Sequence, residues 1–172
     1  MPDVVEFLAR RRVALGGLTA IAALVFANPT WNSWTRGLVV AAVGEGIRVW
    51  AAGHLEKSRE VTTSGPYRWM RHPLYVGSSI LALGIVIAVR SLVVGVLAAV
   101  YLGATLTAAI RTEEAFLRRT FGDSYDRYAR AKDYDGARRF SLERAVRNKE
   151  YRAVLGTLGG FALLALRLLL HL

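Results

Sequence analysis

Residues 74–110 read LYVGSSILALGIVIAVRSLVVGVLAAVYLGATLTAAI, with one charged side chain, Arg90, in the whole stretch. In lipid, every backbone N–H and C=O must find a partner inside the protein, so an apolar run of this length is helical. Two runs are visible, about Leu74–Val89 and about Leu92–Ile110, and only Arg90-Ser91 divides them. The sequence therefore predicts a tight hairpin of two membrane helices.

Working outward, three more apolar blocks appear, at roughly Val13–Phe26, Gly37–Gly53 and Val154–Leu172. The first is short for a hydrocarbon core of about 30 Å. Snorkelling arginines, or a helix start near Asp3, would extend it. The expected fold is an all-α membrane protein with about five transmembrane helices, forming one domain over residues 1–172. A hydrophobic content of 53% agrees. Arg10, Arg11 and Arg12 precede an apolar block, but no small-residue cleavage site follows before Asn28-Pro29, so the block reads as a retained helix. Cysteine is absent, which excludes disulfides and thiolate metal sites. With histidine only at positions 54, 72 and 171, no metal centre is expected.

The formal charge of +10 raises nucleic acid as a partner, but its distribution points elsewhere. With five spans, Arg10–Arg12, the loop carrying Lys57, Arg59, Arg68 and Arg71, and the segment from Arg111 to Arg152 fall on one side. They hold 19 of the 23 basic residues. The positive-inside rule places that side, with the N-terminus, in the cytoplasm of a multi-pass inner-membrane protein. Trp31 and Trp34 then belong to the outer aromatic belt, and Trp50 and Trp69 to the inner one.

Residues 111–153 are polar but patterned. Phe116, Leu117, Phe121, Tyr125 and Tyr128 recur at helical spacing. Gly122 suits a helix C-cap, and Asp123 or Ser124 the N-cap of the next helix. Cytoplasmic amphipathic helices closing over the loop before the hairpin are expected.

That loop carries the first chemical motif, SGPYRWMRHPLYVG at 64–77. Gly65-Pro66 starts a turn, and Pro73 opens the third span at its N1 position. Its first turn then offers free N–H groups to an anion such as a carboxylate. Arg68, Arg71 and His72 surround that point, while Tyr67, Trp69 and Tyr75 supply faces for stacking or for a cation. Interfacial anchoring explains the arginines and Trp69 equally well.

The second motif is Glu113-Glu114, where the fourth span leaves the bilayer. Carboxylates at an inner interface are costly unless they face a cavity or a partner. The two lie about 100° apart on a helix, so one suffices to face inward. Such a group accepts two ribose hydroxyls, or pairs with Arg68, Arg71 or Arg111. Glu45 and Arg48, three residues apart on the second span, are expected to pair with each other or with the bundle interior. His54 follows on the same helix.

The stretch TSGPYRWMRHPLYVG, followed some forty residues later by EEAFLRRTFGDSYDRYA, resembles the isoprenylcysteine carboxyl methyltransferase family and its phospholipid methyltransferase relatives. These are integral membrane enzymes that use S-adenosylmethionine. Their signature, Gly-x-Tyr-Arg-x-x-Arg-His-Pro-x-Tyr-x-Gly, a hydrophobic hairpin, Glu-Glu and Phe-Gly-x-x-Tyr-x-x-Tyr, is present in order from about Arg59 to Tyr128. The resemblance implies cofactor contacts from Arg59, Glu60, Val61 and Thr62, from Tyr67, from His72, Pro73, Leu74 and Tyr75, and from Glu113. One position departs: in the eukaryotic carboxyl methyltransferases a basic residue one turn before the glutamate engages the substrate carboxylate, and here Ala109 stands there. Arg111 is the nearest substitute.

The implied reaction is in-line methyl transfer to a lipophilic acceptor, governed by alignment and exclusion of water. A carboxylate acceptor needs only a cation, Arg111 or Arg71. An amine acceptor needs a base, Glu114 or His72. The acceptor is expected to slide in from the membrane lipids, beside Gly77, Ser78 and Gly84. Two alternatives stand beside this: a sterol-reductase-like enzyme using NADPH, with a related Arg-His-Pro-x-Tyr element, and a non-enzymatic scaffold or small transporter.

Overall fold

A computed structural model describes residues 16–19, 21–130 and 138–170. Among them every regular element is helical. The chain runs through α1 (Gly16–Val25), α2 (Trp31–Ala52), a 3-10 turn at Gly65–Arg68, α3 (Pro73–Val89), α4 (Leu92–Phe121), α5 (Asp123–Ala129), α6 (Leu142–Arg147) and α7 (Tyr151–Leu169). Two helices, α4 and α7, are long and apolar enough to cross a membrane, while α1 and α3 are shorter apolar helices. Val13–Leu15, the start of the first expected span, lies outside the described residues, as do His171 and Leu172.

Helix α2 begins six residues before the apolar block because Thr30 caps it. The Thr30 hydroxyl accepts from Ser33 N at 3.1 Å, and Ser33 Oγ accepts in return from Thr30 N at 2.9 Å. It crosses α3 antiparallel, since Ser33 Oγ also donates to Ala88 O at the far end of α3. Small residues allow the contact. Gly37 and Gly44 on α2 meet Gly84 and Gly77 on α3, and a Cβ on Gly37 would lie 2.5 Å from Gly84 O. Side chains at these positions would hold the backbones apart, which is how small-residue stripes pack membrane helices. The expected acceptor route beside Gly77 and Gly84 is therefore closed, because both are buried against α2.

The α3–α4 link is as short as the sequence implies. Arg90 turns the chain in the left-handed region (φ 53°), and Ser91 caps α4 by accepting from Val94 N. The α2–α3 contact is nevertheless the closer one. Helix α4 presents leucine and valine, and Leu92 and Val100 are exposed. It also runs past Ile110 to Phe121 without a break, so Glu113 and Glu114 ride on the same rigid helix. It stops at Gly122 (φ 46°), which serves as the N-cap of α5 in place of Asp123 or Ser124.

Helix α7 closes the bundle. Trp34 Nε1 donates to Phe161 O at 2.9 Å and its ring meets Phe161 edge-on, so Trp34 locks α2 to α7. Phe161 and Leu164 join Ala41, Ala88, Val89 and Val94 in the core. Glu45 and Arg48 look into the bundle and choose other partners than each other: Thr157 donates to Glu45, while Arg48 pairs with Glu150 at 2.7 Å and with Ser78.

The stretch from Arg138 to Asn148 grips the end of α2. Gly53 O accepts from Ser141 N and from Arg144 Nε at 2.9 Å, and Asn148 Nδ2 bridges Ala52 O and Leu55 O. Carbonyls that a helix end leaves open are satisfied in this way. Arg144 and Arg147 also bond the Glu56 carboxylate, at 3.2 and 3.1 Å. Burial pushes that carboxyl up, but the Arg144 hydrogen bond and the Arg147 charge outweigh it and hold it below the usual range.

Candidate functional site

The loop between α2 and α3 owes its shape to a close backbone approach. Gly65 sits at φ 58° against the His54 ring, where a Cβ would lie 2.5 Å from Cδ2. His54 Nδ1 and Ser64 Oγ are 3.1 Å apart. Burial, then the charges of Arg144 and Arg138, push the His54 imidazole below its ordinary value. Proline at position 66 continues the turn and delivers Tyr67 into the interior. Tyr128 of α5 reaches over and donates its hydroxyl to Tyr67 O at 2.9 Å, so α5 does close over the loop. Burial, helped by the nearby Glu113 charge, raises the Tyr67 phenol far above its usual range.

His72, kept out of the helical region by the proline that follows (φ −129°, ψ 59°), stands as the N-cap of α3 with no side-chain cap bond. Its ring stacks on Tyr75 at 5.7 Å between centroids. Tyr75 donates its hydroxyl to Glu113 Oε2 at 2.7 Å. His72 Nε2 lies 3.2 Å from Glu114 Oε1, which also receives Arg71 at 3.4 Å, and Arg118 closes on the other oxygen at 3.5 Å. The two carboxylates thus divide their work: Glu113 is joined to Tyr75, and Glu114 holds the Arg71-His72 corner.

Between these groups lies a cavity of about 550 Å³, roofed by α5 and walled by the ends of α2, α3, α4 and α7. Glu60, Val61, Thr62, Tyr67, Arg71, His72, Pro73, Leu74, Tyr75 and Glu113 all line it. Five expected residues do not, of which Arg68 and Trp69 are exposed outside it. Glu114 stands behind His72, Arg59 is exposed and reaches Glu56 at 3.9 Å, and Arg111 is exposed on another face of α4. Thr105, Ala108, Ala109 and Thr112 of α4 form the wall that continues toward the apolar part of the helix. Asn148 and Glu150 complete the far wall. Sequence reasoning missed both, because neither belongs to the motifs at 64–77 and 113–128.

The Arg-His-Pro-x-Tyr turn and the carboxylate that follows it in sequence thus meet at one cavity. The family model of phospholipid methyltransferases matches residues 20–124, more than half of the chain. The chain belongs to the phospholipid methyltransferase family, as the residues at 59–128 implied. It is 32% identical over 137 residues to the cobalt-zinc-cadmium resistance protein CzcN of Cupriavidus metallidurans, covering 73% of this chain and 63% of that protein. To the nickel-cobalt-cadmium resistance protein NccN of Alcaligenes xylosoxydans it is 30% identical over 140 residues, 73% of this chain and 64% of the relative. Protein-S-isoprenylcysteine O-methyltransferase of Schizosaccharomyces pombe is 33% identical over 97 residues, 56% of this chain and 41% of that enzyme. The chain thus spans less than two thirds of the length of these curated relatives. No solved structure matches it significantly.

Proposed function

We propose that this protein is an S-adenosylmethionine-dependent methyltransferase that works at the cytoplasmic face of the inner membrane on a lipophilic acceptor. The observation that carries the reading is the cavity joining His72, Tyr75 and Glu113. Its volume of about 550 Å³ falls within the ~300–1,000 Å³ of small-molecule sites. Its donor set also suits the cofactor. The open first turn of α3 favours a carboxylate, the Glu113 carboxylate favours hydroxyl or amino donors, and Tyr67, His72 and Tyr75 offer flat faces. Family membership and the concentration of basic residues on one side support the reading and the orientation.

When bound, S-adenosylmethionine supplies a methyl group on a sulfonium. The chain's own contribution is alignment and dryness. Leu74, Ala108 and Ala109 present apolar surface to the reacting region, and α5 covers it from the water side through the Tyr128 bond to Tyr67. Positioning of two reactants lowers a barrier by several kcal/mol. For isoprenylcysteine-like carboxyl O-methylation, Arg71 is the arginine at the cavity and so the orienting cation, in preference to Arg111. Amine N-methylation is the second reading, favoured by the His72–Glu114 pair, which supplies a base held in place by a carboxylate. The five-span topology belongs to the same proposal, with α4 presenting its apolar wall to an acceptor arriving from the bilayer.

Calorimetry in detergent tests the reading. S-adenosylhomocysteine binds and NADPH does not; the reverse pattern transfers the protein to the reductases, and binding of neither leaves the scaffold. Incubation with labelled S-adenosylmethionine and a membrane lipid extract then identifies the acceptor by what gains the label.

A further inference from the structure

Glu150 is a carboxylate at the cavity wall that the methyltransferase motifs do not include. It lies at the turn from α6 into α7 and is 7% exposed. Lys149, just before it, takes the left-handed conformation (φ 62°), which Lys rarely adopts, and this sets the direction in which the chain enters α7. Arg48 Nε approaches Glu150 Oε1 to 2.7 Å, yet the two are not aligned as a hydrogen bond, and no described residue donates one to that oxygen. Buried carboxylates ordinarily accept several.

The other acids at the cavity are better served. Arg144 and Arg147 bond Glu56, Arg138 pairs with Glu60, and Tyr75 donates to Glu113. Of the two cations lining the cavity, Lys57 and Arg71, the arginine is engaged by Glu114. Each of those acids has its cation or hydroxyl in place, and Glu150 is the carboxylate of the lining with an oxygen to which no described residue donates a hydrogen bond. Tyr67, Tyr125 and Tyr128 line the same space with ring surface, which also attracts a cation.

We propose that Glu150 is a binding residue for an alkylammonium group, with Arg48 holding the carboxylate in position. This rests on the methyltransferase reading. Two molecules present that chemistry, the amino-acid end of S-adenosylmethionine and the headgroup of an amine acceptor.

The test uses the full-length protein in detergent, as wild type, Glu150→Gln, and Arg48→Gln with Glu150→Gln. The double variant removes both charges, so no buried ion is left without its partner. The probes are S-adenosylhomocysteine, its analogue lacking the amino group, and a lysophospholipid with an ethanolamine headgroup. If the cofactor's ammonium is the guest, wild type prefers S-adenosylhomocysteine to the deaminated analogue by at least tenfold, and both variants lose the preference. If the acceptor's ammonium is the guest, the variants keep that preference but bind the lysophospholipid at least tenfold more weakly. Unchanged binding of all three probes overturns the proposal, and unfolding of both variants overturns it in favour of a structural ion pair. Failure of the wild type to bind S-adenosylhomocysteine removes the methyltransferase reading itself.

Discussion

Gly44 and Gly77 face each other across α2 and α3 so closely that a Cβ on Gly77 would lie 2.7 Å from Gly44 O. The contact sets the spacing of the two helices whose ends carry His54, His72 and Tyr75. A methyl group at Gly44 or Gly84 meets backbone, which has no room to yield. Gly44→Ala and Gly84→Ala should each lower stability by about 1–3 kcal/mol, the usual cost of overpacking. At Gly156 and Gly159 on α7 an added Cβ meets nothing within 4 Å. There alanine should be neutral or should stabilise by about 0.5–1 kcal/mol, through its better helix propensity. Thermal unfolding of the four variants in one detergent makes the comparison.

The Tyr75–Glu113 bond separates two contributions to the cavity. Tyr75→Phe removes one neutral donor and should weaken S-adenosylhomocysteine binding by about tenfold or less. Glu113→Gln removes a charged acceptor and should weaken it by about 10–100-fold. Both proteins should unfold near the wild-type temperature. His72→Ala should resemble Glu113→Gln. Normal binding by Glu113→Gln and His72→Ala together would move the site elsewhere.

Glu114 and Arg111 were both candidate catalytic groups, and the geometry parts them. Glu114→Gln loosens His72 and Arg71 at once and should cut methyl transfer by tenfold or more, through residues it holds rather than through contact with the acceptor. Arg111→Ala, on an exposed face of α4, should stay within twofold of wild type. Initial rates with the lipid extract provide the measurement, and a severe loss in Arg111→Ala would restore that residue to the site.

His54 makes the fold sensitive to acid. Its folded value lies below the ordinary one, so the unfolded chain takes up a proton first, as pH falls through about 6.5. Below that point the unfolded state binds more protons than the folded one, and stability declines with falling pH. Above it the contribution is complete. Thermal unfolding should therefore drop between pH 7 and pH 5, and His54→Asn should flatten that drop while lowering stability throughout.

Much of this was readable in advance where one local rule decides. Pro73 and the apolar runs on either side of Arg90-Ser91 fix the start of α3 and the turn into α4. Gly122 ends α4 as its position suggests. The arrangement of helices was less legible, because Gly37, Gly44, Gly77 and Gly84 read as spacing within single spans until two helices are laid together. That pairing also turned a supposed lipid entrance into a helix contact. In the site, the Tyr75–Glu113 and His72–Glu114 partnerships depend on the rotation of one helix against another, which adjacency in sequence does not reveal. Glu150 and Asn148 reach the cavity through α6 and α7, beyond the signature, and no spacing rule connects them to it.

Arg48 has a consequence for biogenesis. On the proposed five-span topology it enters the bilayer with the second helix, whereas its counter-charge, Glu150, leaves the ribosome only with α7. Until then, on that topology, a guanidinium must wait in lipid or at its edge, so the early helices gain their settled depth only once residue 150 has been made. Nascent chains halted before residue 150 should remain exchangeable with the insertion machinery, and those halted after α7 should not.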